Sequence, residues 1–151
     1  MAEEKVVEEK VVNDEGLAKL VMGSDNRATS EVMGHKFSFH YPGILEGLKI
    51  QSIARNLRKE TEKDDDPDLR FQTIILATLD VLCDEIAKVG EKPEIITIKD
   101  GLGNSVRKMK FMEFVDELKK PNLWIELIFP LYESFMRFSN SVLLKDQELK
   151  N

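Results

Sequence analysis

The sequence predicts an α+β fold, a mostly helical single domain with an N-terminal β-hairpin and a possible second short hairpin. Three observations predict it. Phe37, Phe39 and Tyr41 alternate with polar residues and stop at Pro42-Gly43, as on one face of a short strand. Two long segments further on repeat apolar residues at helical spacing. The chain has 151 residues, the usual size of one domain, and a domain of that size buries roughly 70% of its unfolded surface without disulfides or metals.

Taken in order, residues 1–29 read as an acidic, largely flexible tail. Glu-Glu-Lys-Val-Val occurs twice over residues 3–12, a five-residue period that fits neither a helix face nor a coiled-coil seam. A short helix over 15–22 (Leu17, Leu20, Val21) is expected to fold back on the body. Residues 30–145 form the domain. Its hairpin pairs 30–33 with 36–41 across Gly34-His35, and glycine first in the loop suits a type II′ turn. A helix follows over 44–59. Ile50, Ile53, Ala54 and Leu57 make its apolar stripe, while Ile44, Leu45 and Leu48 fall on a nearly opposite side.

The second helix is expected over 67–89. Asp66 is its cap, Pro67 its first residue and Asp68 a favourable charge in the first turn. Its main stripe is Phe71, Ile74, Ile75, Thr78, Leu82, Ile86 and Val89, with Gly90 and Pro93 as stop signals. Residues 95–98 are β-branched and 105–109 can return as a partner strand around the loop at 100–104. A third helix covers 110–119, with Phe111, Phe114, Val115 and Leu118 on one side and Pro121 after it. A fourth covers 123–144. There Trp124, Ile128, Leu131, Phe135, Phe138 and Val142 share one face, and Pro130 should kink the axis. Residues 146–151 read as a frayed end.

Composition narrows the function. A net charge of −6 argues against binding nucleic acid or an anionic membrane surface, both of which need clustered Lys and Arg. No apolar run is long enough to span a bilayer. Cys83 is the only cysteine, which excludes an internal disulfide and suits a reducing cytoplasm. His35 and His40 are the only histidines and read as exposed and structural, too few for a metal site. Gly101-Leu102-Gly103-Asn104-Ser105-Val106 begins like a dinucleotide fingerprint but lacks the third glycine, so a turn is expected. Asp64, Asp65, Asp66 and Asp68 lack the glycine and distal glutamate of a calcium loop. No cofactor, metal or catalytic residue is expected, and an enzyme is the least favoured class.

The turn Phe37-Ser38-Phe39-His40-Tyr41-Pro42-Gly43, the helix after it, the apolar run at 71–89, Lys92-Pro93-Glu94 and the aromatic helix ending near Phe138 together resemble the tail assembly chaperones of long-tailed bacteriophages. The resemblance covers residues 30–140. It implies a non-enzymatic protein of the host cytoplasm that binds the tape measure protein, keeps its long helices soluble and recruits tail tube protein. It also implies self-association as a homo-oligomer, and a longer frameshifted form for which 145–151 would end the short one.

Phe37, Phe39 and Tyr41 on the hairpin, with Phe135, Met136 and Phe138 at the far end, are the candidate protein-binding residues; packing into the core is the alternative for the same side chains. On the binding reading, a polar residue at Phe39 weakens association and leaves the fold intact. Two other classes compete: a structural head–tail or tail completion protein of the virion, and a cellular regulatory module that binds a partner helix.

Overall fold

The computed structural model describes residues 10–12, 19–23, 26–60 and 66–150. It is an α+β domain with more residues in helix than in strand. Four strands come first: β1 (Lys10–Val12), β2 (Lys19–Met22), β3 (Arg27–Val32) and β4 (His35–His40). Two helices follow, α1 (Ile44–Glu60) and α2 (Pro67–Leu82), and then β5 (Cys83–Lys88). Next come β6 (Glu94–Ile95), β7 (Thr97–Lys99), β8 (Ser105–Lys108), α3 (Phe111–Leu118), a π-helical turn (Trp124–Ile128) and α4 (Phe129–Lys150). Strands β1 to β6 form one antiparallel sheet in chain order, and β7 pairs with β8 as a separate ribbon.

The first hairpin forms where the alternation places it, with its turn one residue earlier than expected. Val32 pairs with His35, so the loop is Met33-Gly34. Both loop residues have positive φ (52° and 73°), the signature of a type I′ turn, whose twist matches that of the strands. The hairpin is also the middle of a larger sheet. Residues 19–22 are a strand and not part of a helix, because Leu20, Val21 and Met22 pair with Ser30, Thr29 and Ala28. The domain therefore begins before residue 30. Of the acidic repeat, Lys10–Val12 pairs with β2. The rest of residues 1–14, and 15–18 of the expected short helix, lie outside the described residues.

Helix α2 ends at Leu82, seven residues before the expected end at 89, and the chain enters β5 without a connecting residue. Cys83 is already extended (ψ 114°) while its N–H still bonds the Leu79 carbonyl. Continuing the helix would have placed Asp84 and Glu85 near its carboxyl end, where the dipole disfavours negative charge. It would also have left β4, which carries Phe37 and Phe39, as an open edge. Pairing with β4 instead buries Ile86 opposite Phe37. Leu82 and Ile86 are both buried as expected, the first as a helix residue and the second as a strand residue.

The remaining elements follow their local chemistry. Asp66 caps α2 through its Oδ1, which accepts the Asp68 N–H at 3.0 Å. Asp100 organises the 100–104 loop, its Oδ1 accepting N–H bonds from Leu102 and Asn104 at 2.9 Å each. Helix α3 starts with Glu113 reaching back to the Lys110 N–H (3.1 Å) while holding Arg107 in a fork. Just before Pro130, the Phe129 N–H bonds the Trp124 carbonyl, the wider loop of a π-turn; Pro130 itself has no N–H to offer the ladder. The final helix then continues to Lys150, so residues 146–150 are helical and not frayed.

The core lies between the inner face of the sheet and the helices. Helix α4 rests on β2 and β3, and α1 packs on α2 as a helical hairpin, with Arg58 Nη1 donating to Thr73 Oγ1 at 3.4 Å. Helix α3 is tied to α2 by the Met112 N–H, which donates to Asp80 Oδ1 at 3.1 Å. Ser30 on β3 and Ser134 on α4 share a hydrogen bond, and both side chains are fully buried.

Candidate protein-binding surface

Four of the six residues singled out from sequence lie inside. Phe37, Phe39, Phe135 and Phe138 are all buried. Phe37 meets the rings of Phe111 and Phe114 edge-on at 6.0 and 5.7 Å. Phe39 lies 5.9 Å from Phe135, which in turn contacts Phe138 at 6.1 Å. These rings join sheet to helices, so the folded chain does not offer them to a partner. The expectation that a polar residue at Phe39 spares the fold is corrected accordingly. Met136, turned about 100° from Phe135 around the helix, is exposed. Tyr41 is half-buried and lines a groove of about 330 Å³ with Asn26, Val142, Leu143, Lys145 and Asp146.

Exposed apolar side chains occur at Leu102, Val106, Ile125, Leu144 and Phe71, and three more stand together on the element after the hairpin. Ile44, Leu45 and Leu48 are 88%, 79% and 64% exposed. They occupy the first turns of α1, at spacings that place them side by side. The opposite stripe of the same helix, Ile50 and Ala54 with the half-buried Ile53 and Leu57, is the side that packs. The two-sided pattern was visible in the sequence. What was missing was which side would be covered.

This first turn is held in place by a polar cluster. The Gly43 N–H donates to Glu46 Oε1 at 3.1 Å, the reach-back half of a capping box. Glu46 Oε2 lies 2.5 Å from His40 Nε2, and His40 Nδ1 lies 2.7 Å from Asp84 Oδ1. Arg27 Nη1 donates to Asp84 Oδ2 at 3.0 Å. Asp84 reaches both groups because it is the extra residue of a β-bulge: Phe39 pairs with Cys83 and Ser38 with Glu85, leaving Asp84 between them. Burial pulls the His40 pKa down, but its hydrogen bonds to Glu46 and Asp84 outweigh this and hold it above the ordinary value. Burial alone would raise Glu46; the bonds from His40 and the Gly43 N–H reverse that and hold it low.

His40 is thus half-buried and ion-paired on both nitrogens, and not the exposed histidine expected. The sequence periodicity places Asp84 in a helix, remote from the hairpin, so the pairing carries no local signal. His35 instead donates from Nδ1 to the Met33 carbonyl (3.0 Å) and meets the Phe114 ring edge-on at 4.9 Å. Burial pushes the Cys83 thiol pKa far up, so the thiol stays protonated, with Sγ directed at the Glu85 carbonyl. Among the described residues, no group of three or more His, Cys, Asp or Glu is arranged to hold a metal ion, and no helix is long and apolar enough to cross a membrane. Comparison with family models, curated proteins and solved structures finds no match to this chain.

Proposed function

We propose that this chain is a non-enzymatic protein-binding module, acting as the tail assembly chaperone of a long-tailed bacteriophage in the host cytoplasm. In this role it self-associates, binds the tape measure protein and brings tail tube protein to it. The observation that carries the reading is the exposed aliphatic face of α1. Three large side chains standing this far out of a folded domain are a partner surface more readily than a solvated one. The strand–Tyr41-Pro42-Gly43–helix passage that motivates the resemblance also delivers that face. Contact is therefore assigned to Ile44, Leu45 and Leu48, and no longer to the buried rings.

The chemistry suits an amphipathic helix laid alongside α1. Aliphatic contacts at the first turns would be flanked by the exposed Lys49, Arg55 and Lys59, which favour acidic residues at the edge of the incoming stripe. The test is co-expression with the tape measure and tube proteins, followed by size-exclusion chromatography. The wild-type chain should co-elute with the tape measure protein, and Leu45→Glu/Leu48→Glu should not. Equal co-elution of both would remove the assigned surface, and failure of the wild type to co-elute would remove the chaperone reading. Presence of the chain in purified particles would favour a structural virion component instead.

A further inference from the structure

His40 stands between two carboxylates supplied by different elements, Asp84 of β5 and Glu46 of α1. A neutral imidazole has one N–H and one lone pair, so it can donate to one carboxylate only; its other nitrogen would set a lone pair against carboxylate oxygen. Both contacts together require the imidazolium. We propose that His40 is a proton-operated latch that fastens the first turn of α1 to the sheet and so fixes the position of Ile44, Leu45 and Leu48. This adds regulation to the partner surface and rests on that reading for its biological use.

The charges around the ring define how the latch opens. From β3, Arg27 is the ladder partner of His40 and binds the far oxygen of Asp84. From β5 comes Asp84, and from α1 come Glu46 and, beyond it, Lys49, whose charge also favours ionised Glu46. From α4, Lys145 and Asp146 line the groove beneath the neighbouring Tyr41. When the ring loses its proton, one carboxylate contact must go. Strands β4 and β5 are joined by a backbone ladder and Asp84 keeps Arg27, so that side stays. Glu46 keeps only the Gly43 N–H within its own turn, so the tie from helix to sheet is the one released.

The sign follows from the two shifts. His40 is raised above 6.5, so its contribution is whole below that value and is lost as pH rises through the raised one. Glu46 is lowered below 4.5, so its contribution is present above that value and is lost as pH falls through the lowered one. The latch is closed in the window between the lowered Glu46 value and the raised His40 value, opens as pH rises through the second, and opens again as pH falls through the first.

The test uses the full free chain, with no partner present. NMR of the His40 ring gives its titration midpoint, and hydrogen exchange at the Gly47 and Leu48 amides, corrected for the intrinsic rate, reports the first turn of α1. The midpoint should lie above 6.5, and protection should fall by about an order of magnitude across it. His40→Gln should show the low protection at every pH. Asp84→Asn should keep protection past the midpoint, because a neutral ring can accept from the amide and still donate to Glu46. A midpoint at or below the ordinary value, or unchanged protection across it, would overturn the latch. Those results leave the co-elution experiment untouched, so failure of the latch and failure of the partner surface are read separately.

Discussion

Phe37 and Leu45 stand eight positions apart and are both strongly apolar, yet one is completely buried and the other is 79% exposed. The first belongs to an interior in which β4 aromatics meet the rings of α3 and α4. The second belongs to the outer side of α1, where little among the described residues covers it. Hydrophobicity alone does not separate the two. Position in the layers does: β4 is a central strand flanked by β3 and β5, whereas α1 packs on α2 by its other stripe. Burial in the first region is required by folding. Exposure in the second is a cost that folding does not explain, and it is the reason for assigning a partner to it.

Four substitutions test this contrast. Phe37→Ala should be the most damaging, destabilising the domain by about 3–5 kcal/mol in a urea melt, since it empties a fully packed ring site. A melt within experimental error of wild type would remove the distinction between the regions. Ser134→Ala strands the buried Ser30 hydroxyl and should cost about 1–3 kcal/mol, with part of the loss recovered in the Ser30→Ala/Ser134→Ala double variant. Met136→Ala, on the exposed flank of an otherwise packed helix, should cost about 1 kcal/mol or less. Leu48→Glu should move stability by no more than about 0.5 kcal/mol while abolishing co-elution with the tape measure protein. A large stability loss at Leu48 would place it with the interior, and the contrast would fail from the other side.

Much of the fold was legible because local signals agreed. The period-2 aromatics, the Asp66-Pro67 helix start and the amphipathic α3 each carry a cap or stop beside the right periodicity, whereas the strand expected over 95–98 is divided, Ile95 joining β5 and only 97–99 pairing with 105–108. The misreadings lie where one pattern serves two structures. Leu82 and Ile86 are four apart, which is a helical step; they are also buried on either side of a helix–strand junction. Lys19–Met22 holds a run of only three apolar residues, Leu20 to Met22, whose state is set by the strand beside it, and no local signal announces that neighbour. The surface was legible in part. The second apolar side of α1 is plain in the spacing, but the aromatics are the louder signal, and ring size is a stronger cue for contact than for the side of the wall on which contact occurs. The His40 cluster was not legible, since it depends on Asp84, whose place in β5 was itself hidden.

The bulge in β5 has a consequence for how the gene can change. With Cys83 already opposite Phe39 and Glu85 already opposite Ser38, Asp84 is supernumerary to the pairing. A one-codon deletion of it would leave a straight ladder, with every remaining β5 side chain on its present face. The sheet could be simplified at a stroke, and the residue discarded would be, among the described residues, the carboxylate that reaches both Arg27 and His40.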